Sequence, residues 1–90
     1  MRQDMAFVLD QTHEYHDLRR FIEGLNPPFL ESLSLFDLYE GKVVGAGKRS
    51  MGFRFVFRSP SRTLTGEEVA QTMDHVVQSV IEKFGAIIRI

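Results

Sequence analysis

Two short stretches of this sequence contain residue types that could do chemistry. The first, His13-Glu14-Tyr15-His16-Asp17, holds imidazoles and carboxylates, the groups that bind zinc in proteins. The zinc-protease motif H-E-x-x-H places its histidines at i and i+4, on one face of a helix. Here they stand at i and i+3 with no third ligand in view. We therefore interpret the stretch as the solvated first turn of a helix.

The second stretch, Gly45-Ala46-Gly47-Lys48-Arg49-Ser50, superficially matches a phosphate-binding loop. The motif G-x-x-x-x-G-K-[ST] needs glycine at position 42 and serine or threonine at position 49, but the chain has Lys42 and Arg49 there. The stretch also joins two predicted strands, so no helix N-terminus follows it to hold a phosphate. Since no Ser-His-Asp set or carboxylate pair stands out, we predict no catalytic residue, metal or cofactor in this domain.

Charge is distributed unevenly along the chain. Residues 41–66 contain no acidic side chain and six basic ones, which are Lys42, Lys48, Arg49, Arg54, Arg58 and Arg62. The other residues hold the five remaining basic side chains and all 12 acidic ones, and the net charge is −1. A cationic segment of this kind predicts a surface for a phosphate-bearing partner. A solvated basic hairpin is the alternative.

Ninety residues are enough for one domain with one hydrophobic core. With 43% hydrophobic and 26% charged residues, the composition is that of a globular domain, not of a disordered segment. The chain has no cysteine, which excludes a disulfide, a thiolate zinc site and a cysteine nucleophile. No apolar run approaches the about 18 residues of a membrane-spanning helix and no signal-peptide pattern is present, so we predict a cytosolic domain.

The hydrophobic pattern predicts six elements in the order β-α-β-β-α-β. Their bounds are residues 4–10, 13–24, 29–39, 49–58, 65–84 and 86–90. Thr12 is the expected cap of the first helix, and Thr65 with Glu68 forms a capping box at the start of the second. This order is typical of the α+β ferredoxin-like fold. Right-handed crossovers favour a four-stranded antiparallel sheet in the order 4-1-3-2, with both helices on one face and the other face open.

Alternation along the strands predicts which side chains point to the open face. On the third strand the apolar row is Met51, Phe53, Phe55 and Phe57, which we expect under the helices, so Arg54 and Arg58 project from the open face. The second strand needs a β-bulge near Leu35-Phe36 to reconcile its pattern. The bulge turns Leu33, Leu35 and Leu38 inward and Ser32, Ser34, Asp37 and Tyr39 outward.

Other proteins with this element order leave alternatives open. The third strand partly matches the RNA-recognition-motif signature at Arg49, Gly52 and Phe53, but that motif needs exposed strand aromatics. An ACT-like regulatory or assembly domain would bind a small molecule or another subunit. An acylphosphatase-like enzyme would need an Arg/Asn phosphate cradle in the first loop, which residues 11–14 do not supply.

Three blocks of the sequence carry a specific resemblance. They are L-F-D-L-Y-E-G at 35–41, G-K-R-S at 47–50 and F-R-S-P-S-R-T-L-T-G-E-E-V at 57–69. Arg2-Gln3-Asp4-Met5-Ala6 also resembles an R-R-D-L-A start, with Gln3 as the departure. Together they resemble, over nearly the whole chain, the C-terminal ferredoxin-fold anticodon-binding (FDX-ACB) domain of the phenylalanyl-tRNA synthetase β subunit. That subunit is far longer, so we expect an excised domain or a stand-alone copy.

The resemblance implies that the domain binds the anticodon stem-loop of tRNA(Phe) and catalyses nothing itself. Aminoacylation, ATP and Mg²⁺ would belong to the parent enzyme, and the partners would be its α subunit and the rest of the β subunit. Matched to the family's L-F-D-x-Y strand, the base-binding residues are Asp37 and Tyr39. The expected phosphate-binding residues are Lys48, Arg49, Arg54 and Arg58, together with Lys42. Arg58 and Arg62 have a structural alternative, in which they pair with acids such as Glu67.

Overall fold

The six predicted elements are present in the predicted order. The computed structural model describes residues 1–41 and 44–89, with elements β1 (Arg2–Asp10), α1 (Tyr15–Gly24), β2 (Leu30–Glu40), β3 (Lys48–Phe57), α2 (Gly66–Phe84) and β4 (Ile87–Arg89). Neither helix in this described part of the chain has the length and apolar character needed to cross a bilayer. The boundaries differ from the prediction by one or two residues at most element ends.

The four strands form one antiparallel sheet in the order β2-β3-β1-β4. This order confirms the predicted ferredoxin-like arrangement, since it is 4-1-3-2 read from the other edge. Strands β1 and β3 lie at the centre, where Met5 is opposite Phe53 and Phe7 is opposite Met51. Strand β2 pairs with β3 at one edge, so the position of every β2 side chain depends on its register with β3.

The core lies between the sheet and the two helices. As predicted, the third-strand row points into it: Met51, Phe53 and Phe55 are 0% exposed and Phe57 is 1% exposed. From the helices, the fully buried side chains are Leu18, Ile22, Val76 and Val80. These residues recur at helical spacing, which gives each helix one apolar stripe towards the sheet.

The start of α1 differs from the prediction. Thr12 does not cap the helix, because its backbone N–H donates to Asp10 Oδ1 at 3.0 Å in a turn that follows β1. The helix begins at Tyr15 with Glu14 as the N-cap residue, and the Glu14 N–H donates to Asp17 Oδ2 at 3.3 Å. The short side chain of Asp10 can accept a hydrogen bond from the backbone two residues later. This bond holds Thr12 in the turn, where it cannot act as the helix cap.

The predicted capping box of α2 is confirmed. The Glu68 N–H donates to Thr65 Oγ1 at 3.1 Å, and the Thr65 N–H donates to Glu68 Oε2 at 2.9 Å. Arg62 Nη1 also donates to Glu68 Oε2, at 2.8 Å, so the acid that Arg62 pairs with is Glu68, not Glu67. The hydrogen bonds from Arg62, and then from the Thr65 backbone, lower the pKa of Glu68 from its ordinary 4.5 to about 2.

Strand β2 contains the predicted bulge. Its register with β3 shifts between Leu35 and Asp37, and a further shift lies between Leu30 and Ser32. Leu33 is buried and Leu35 is half-buried, as expected. Leu38 is opposite Met51 but is 48% exposed, because it lies near the end of an edge strand that has no neighbour on its outer side.

Phe55→Ala should destabilise the fold strongly, because it empties a fully buried position at the centre of the core. We expect the free energy of unfolding to fall by about 3–5 kcal/mol. Urea unfolding measures the change. Phe29→Ala is the matched control, since Phe29 is 42% exposed and should lose much less stability. Similar losses for the two variants would contradict the assignment of the third-strand phenylalanines to the core.

Glu68→Gln should make the stability of the fold less sensitive to acid. Because folding lowers the pKa of Glu68 from 4.5 to about 2, its contribution is complete above the unfolded value and is lost as the pH falls through that interval. Urea midpoints should therefore fall less on acidification in Glu68→Gln than in the wild type. Glu67→Gln, in the same first turn, should behave like the wild type. Identical pH profiles for all three proteins would rule out this role of Glu68.

Candidate nucleic-acid interface

One face of the sheet is not covered by the helices. Residues directly opposite each other in an antiparallel pair point to the same side, and Met51 and Phe53 point towards the helices. Ser50, Gly52 and Arg54 of β3 therefore point away from them. With their partners on the neighbouring strands they form what we call the helix-free face, whose members are Asp4, Ala6, Val8, Ser34, Asp37, Tyr39, Ser50, Gly52 and Arg54.

Both sequence-predicted base-binding residues lie on the helix-free face. Asp37 is opposite Gly52, and Tyr39 is opposite Ser50. Since strand residues two apart are separated by about 7 Å, the two side chains stand next to each other on the same side of β2. Tyr39 is 46% exposed and Asp37 is half-buried. An aromatic ring and a carboxylate at this spacing can stack on one base and accept hydrogen bonds from its edge.

Arg54 lies on the same face but is already held by an acid. Its Nε and Nη2 donate to the two carboxylate oxygens of Asp4, at 3.1 and 3.3 Å. The hydrogen bond raises the pKa of Arg54 and lowers the pKa of Asp4. The Arg54 side chain keeps 35% of its surface exposed. A partner that contacts Arg54 in this arrangement therefore shares its charge with Asp4.

The other predicted phosphate-binding residues are not grouped around Asp37 and Tyr39. Lys48 is exposed at the start of β3, two residues before Ser50. Arg49 is opposite Leu9, which is buried, so it points to the side of the helices. There Arg49 Nη2 lies 3.0 Å from Glu40 Oε1, and Arg49 Nη1 donates to the His13 carbonyl oxygen at 3.2 Å.

Arg58 lies one residue beyond the C-terminal end of β3. It is eight residues beyond Ser50, which corresponds to about 26 Å along a strand. Its Nε is 3.8 Å from Glu31 Oε2, with 75% of the Arg58 side chain exposed. Lys42 lies outside the described residues. The structure therefore brings Asp37 and Tyr39 together and places Arg54 and Lys48 on the same side of β3, about 20 Å apart along the strand. Arg49 points to the other side of the sheet, and Arg58 lies beyond the opposite end of β3 from Lys48.

The ion pairs change the electrostatics that the charge count predicts. The basic segment pairs with acids from elsewhere in the chain, namely Arg49 with Glu40, Arg54 with Asp4, Arg58 with Glu31 and Arg62 with Glu68. Because these carboxylates neutralise the arginines locally, the positive potential near residues 41–66 is smaller than their charge of +6 suggests. Lys48 is also near an acid, since it lies opposite Asp10 in the pairing of β1 with β3. A phosphate that bound these basic side chains would therefore compete with carboxylates.

Phe36 is a residue of this face that the sequence reasoning did not assign. It is the extra residue at the β2 register shift, and its ring lies against Gly52. The Arg54 guanidinium carbon is 5.0 Å from the centre of that ring. A glycine opposite an aromatic residue at a suspected bulge is the signal that could have identified the contact, because only glycine leaves room there for a ring.

Two other kinds of site considered from the sequence are a metal site at the histidines and an RNA-recognition motif on β3. In the described residues no group of three or more His, Cys, Asp or Glu side chains is close enough to hold a metal ion. His13 instead lies edge-on against Phe84, with ring centres 5.0 Å apart. The third-strand aromatics are buried, so they cannot stack on bases as an RNA-recognition motif requires.

Known proteins are similar to this chain over nearly its whole length. The model of the ferredoxin-fold anticodon binding domain matches residues 1–89. The phenylalanine–tRNA ligase beta subunit of Streptococcus pyogenes is 38% identical over 89 residues, which cover 99% of this chain and 11% of that protein. Those of Geobacillus kaustophilus and Syntrophus aciditrophicus are 39% identical over 87 residues, 97% of this chain and 11% of each relative.

The fold and the comparisons agree. The chain spans about 11% of the length of the curated relatives it matches, and it has the ferredoxin-like fold that the family name describes. The predicted resemblance is confirmed: this chain belongs to the ferredoxin-fold anticodon-binding domain family.

Proposed function

We propose that this domain binds the anticodon stem-loop of tRNA(Phe), as the RNA-binding part of a phenylalanine–tRNA ligase beta subunit. The family match supports the class of ligand, and the names of the relatives support the identity of the tRNA. The contact surface in this proposal is the helix-free face. Single-stranded loops suit such a surface because their unstacked bases can be splayed out and read individually.

The observation that carries the proposal is the juxtaposition of Asp37 and Tyr39 on that face. The exposed Tyr39 ring offers a π surface for one base. An ionised carboxylate only accepts hydrogen bonds, so Asp37 suits a base edge that donates, most naturally the amino and imino groups of guanine. Lys48 lies two residues before Ser50, which is opposite Tyr39, at the hairpin end of β3 where an RNA backbone could pass.

In this proposal the domain has no catalytic residues and holds no cofactor. Aminoacylation, with its ATP and Mg²⁺, belongs to the rest of the ligase. The partners of the domain are then the α subunit, the remainder of the β subunit and the tRNA, and its location is the cytoplasm. Its contribution to the enzyme is selection and placement of the tRNA.

NMR titration of the isotopically labelled 90-residue chain with the tRNA(Phe) anticodon stem-loop tests the proposal directly. We expect chemical-shift changes in β2 and β3 on residues of the helix-free face, with α1 and α2 little affected. A stem-loop with an unrelated anticodon is the matched control ligand. Changes confined to the helices, or equal responses to both RNAs, would contradict the proposal. A response to amino acids and none to RNA would favour a regulatory domain of the same fold.

Tyr39→Ala should weaken binding of the anticodon loop without unfolding the domain. Loss of the stacking surface should cost roughly 1–3 kcal/mol of binding free energy. The slope of log affinity against log salt should stay the same, because no charge is removed. Tyr39→Phe keeps the ring and should retain most of the affinity. A folded Tyr39→Ala variant that binds like the wild type would remove Tyr39 from the site.

Lys48→Gln should weaken binding to different RNAs to a similar extent and reduce its salt dependence. If Lys48 neutralises one phosphate, the salt slope should become shallower by about 0.7, the single-strand value per contact. Lys83→Gln, which removes an exposed lysine in the last turn of α2, is the control and should change neither quantity. An unchanged slope in Lys48→Gln would exclude Lys48 as a phosphate contact.

A further inference from the structure

Phe36 is an exposed aromatic side chain beside the proposed base-binding pair. In a bulge, two residues of one strand lie opposite one residue of the partner, and here Phe36 and Asp37 both lie against Gly52. A Cβ atom added at Gly52 would be 3.0 Å from Phe36 Cζ and 3.1 Å from Asp37 Cβ. The Phe36 ring is therefore on the helix-free face, next to Asp37, and the side chain remains 45% exposed.

The Phe36 ring is held in place by a charged pair. The Arg54 guanidinium lies 5.0 Å from the ring centre, within the range of a cation–π contact. The same guanidinium donates to both oxygens of Asp4, at 3.1 and 3.3 Å, and a bidentate pair fixes the plane of the arginine as well as its position. The Phe36 ring thus packs against the backbone of Gly52 and against the Arg54 guanidinium, which Asp4 holds in position.

A second exposed pair of the same type lies elsewhere in the structure. The Arg62 guanidinium lies 5.3 Å from the centre of the Phe29 ring, and Phe29 is 42% exposed. Phe29, however, lines a groove with Leu64 and Val69 beside α2, away from the helix-free face. The position of Phe36 next to Asp37 distinguishes it from Phe29.

We propose that Phe36 is a further base-stacking residue of the helix-free face, with Arg54 and Asp4 as its positioning residues. The proposal rests on the proposed function, and it extends the site from one stacking surface to two. An exposed ring with restricted motion loses little freedom when a base stacks on it, and stacking tolerates any base. In this proposal Arg54 acts through Phe36 and not as the phosphate contact that the sequence predicts.

The test compares Phe36→Leu with Phe29→Leu in the 90-residue chain. Leucine keeps much of the apolar volume and removes the aromatic plane. The probe is the tRNA(Phe) anticodon stem-loop with one loop base replaced by 2-aminopurine, whose fluorescence is quenched when it stacks. Phe36→Leu should weaken binding about 5- to 150-fold and reduce the quenching. Phe29→Leu should change neither measurement.

Two further variants test the positioning of the ring. Gly52→Ala places a methyl group 3.0 Å from Phe36 Cζ and 3.1 Å from Asp37 Cβ, so it should displace the ring and reduce the quenching although it removes no side chain of the proposed site. Arg54→Gln should also reduce the quenching and should leave the salt slope unchanged, whereas loss of a phosphate contact would make that slope shallower by about 0.7. Asp4→Asn should add little to the effect of Arg54→Gln, because the two residues act as one unit.

The outcomes separate this proposal from the proposed function. Wild-type affinity and quenching in a folded Phe36→Leu variant would overturn the stacking role, while a loss of binding in Tyr39→Ala would still support RNA recognition. Wild-type behaviour of both folded variants would overturn the stacking role and also remove Tyr39 from the site, whereas no binding of the stem-loop by the unaltered chain would overturn the proposed function itself. A shallower salt slope in Arg54→Gln would overturn its positioning role and assign it to a phosphate.

Discussion

Burial of one side of β3 is the constraint on which the rest of the structure depends. Its row of four large apolar side chains is at most 1% exposed, because both helices pack against it. Alternation along a strand then requires the intervening residues to point the opposite way. Ser50, Gly52 and Arg54 are therefore on the helix-free face as a consequence of the core. The small residues among them leave space for side chains that arrive from β2.

The bulge in β2 determines which side chains use that space. Leu33 and Leu35 are opposite Phe55 and Phe53 and so share the core side of the sheet. Under strict alternation Asp37 would follow them inward, since it differs from Leu35 by two positions. The extra residue at position 36 reverses the side taken by every later residue of the strand. A local irregularity, not a regular element, thus creates the proposed base-binding pair.

Local patterns in the sequence were sufficient to predict the fold and the sides of the strands. The Thr65–Glu68 capping box and the alternation from Met51 to Phe57 both involve neighbours in sequence, so they could be identified without knowledge of the tertiary structure. The ion pairs could not, because Arg54 and Asp4 are 50 residues apart and meet only through the register of β1 with β3. The predicted cap of α1 was wrong because the Thr12 N–H donates to Asp10 Oδ1. Thr12 therefore belongs to the turn after β1 and not to the start of the helix, and the sequence is compatible with either local structure.

Paired charges also limit what net charge can contribute to RNA recognition. A polyanion that approaches the helix-free face meets the carboxylates of Asp4 and Asp37 as well as the cations of Lys48 and Arg54. Exposed ion pairs contribute little to stability, so they cost the fold little to rearrange, yet each carboxylate weakens general attraction to phosphates. Contacts to unstacked bases do not depend on that attraction. On the proposed function, a face of this composition suits a splayed loop better than a duplex, in a chain whose net charge is −1.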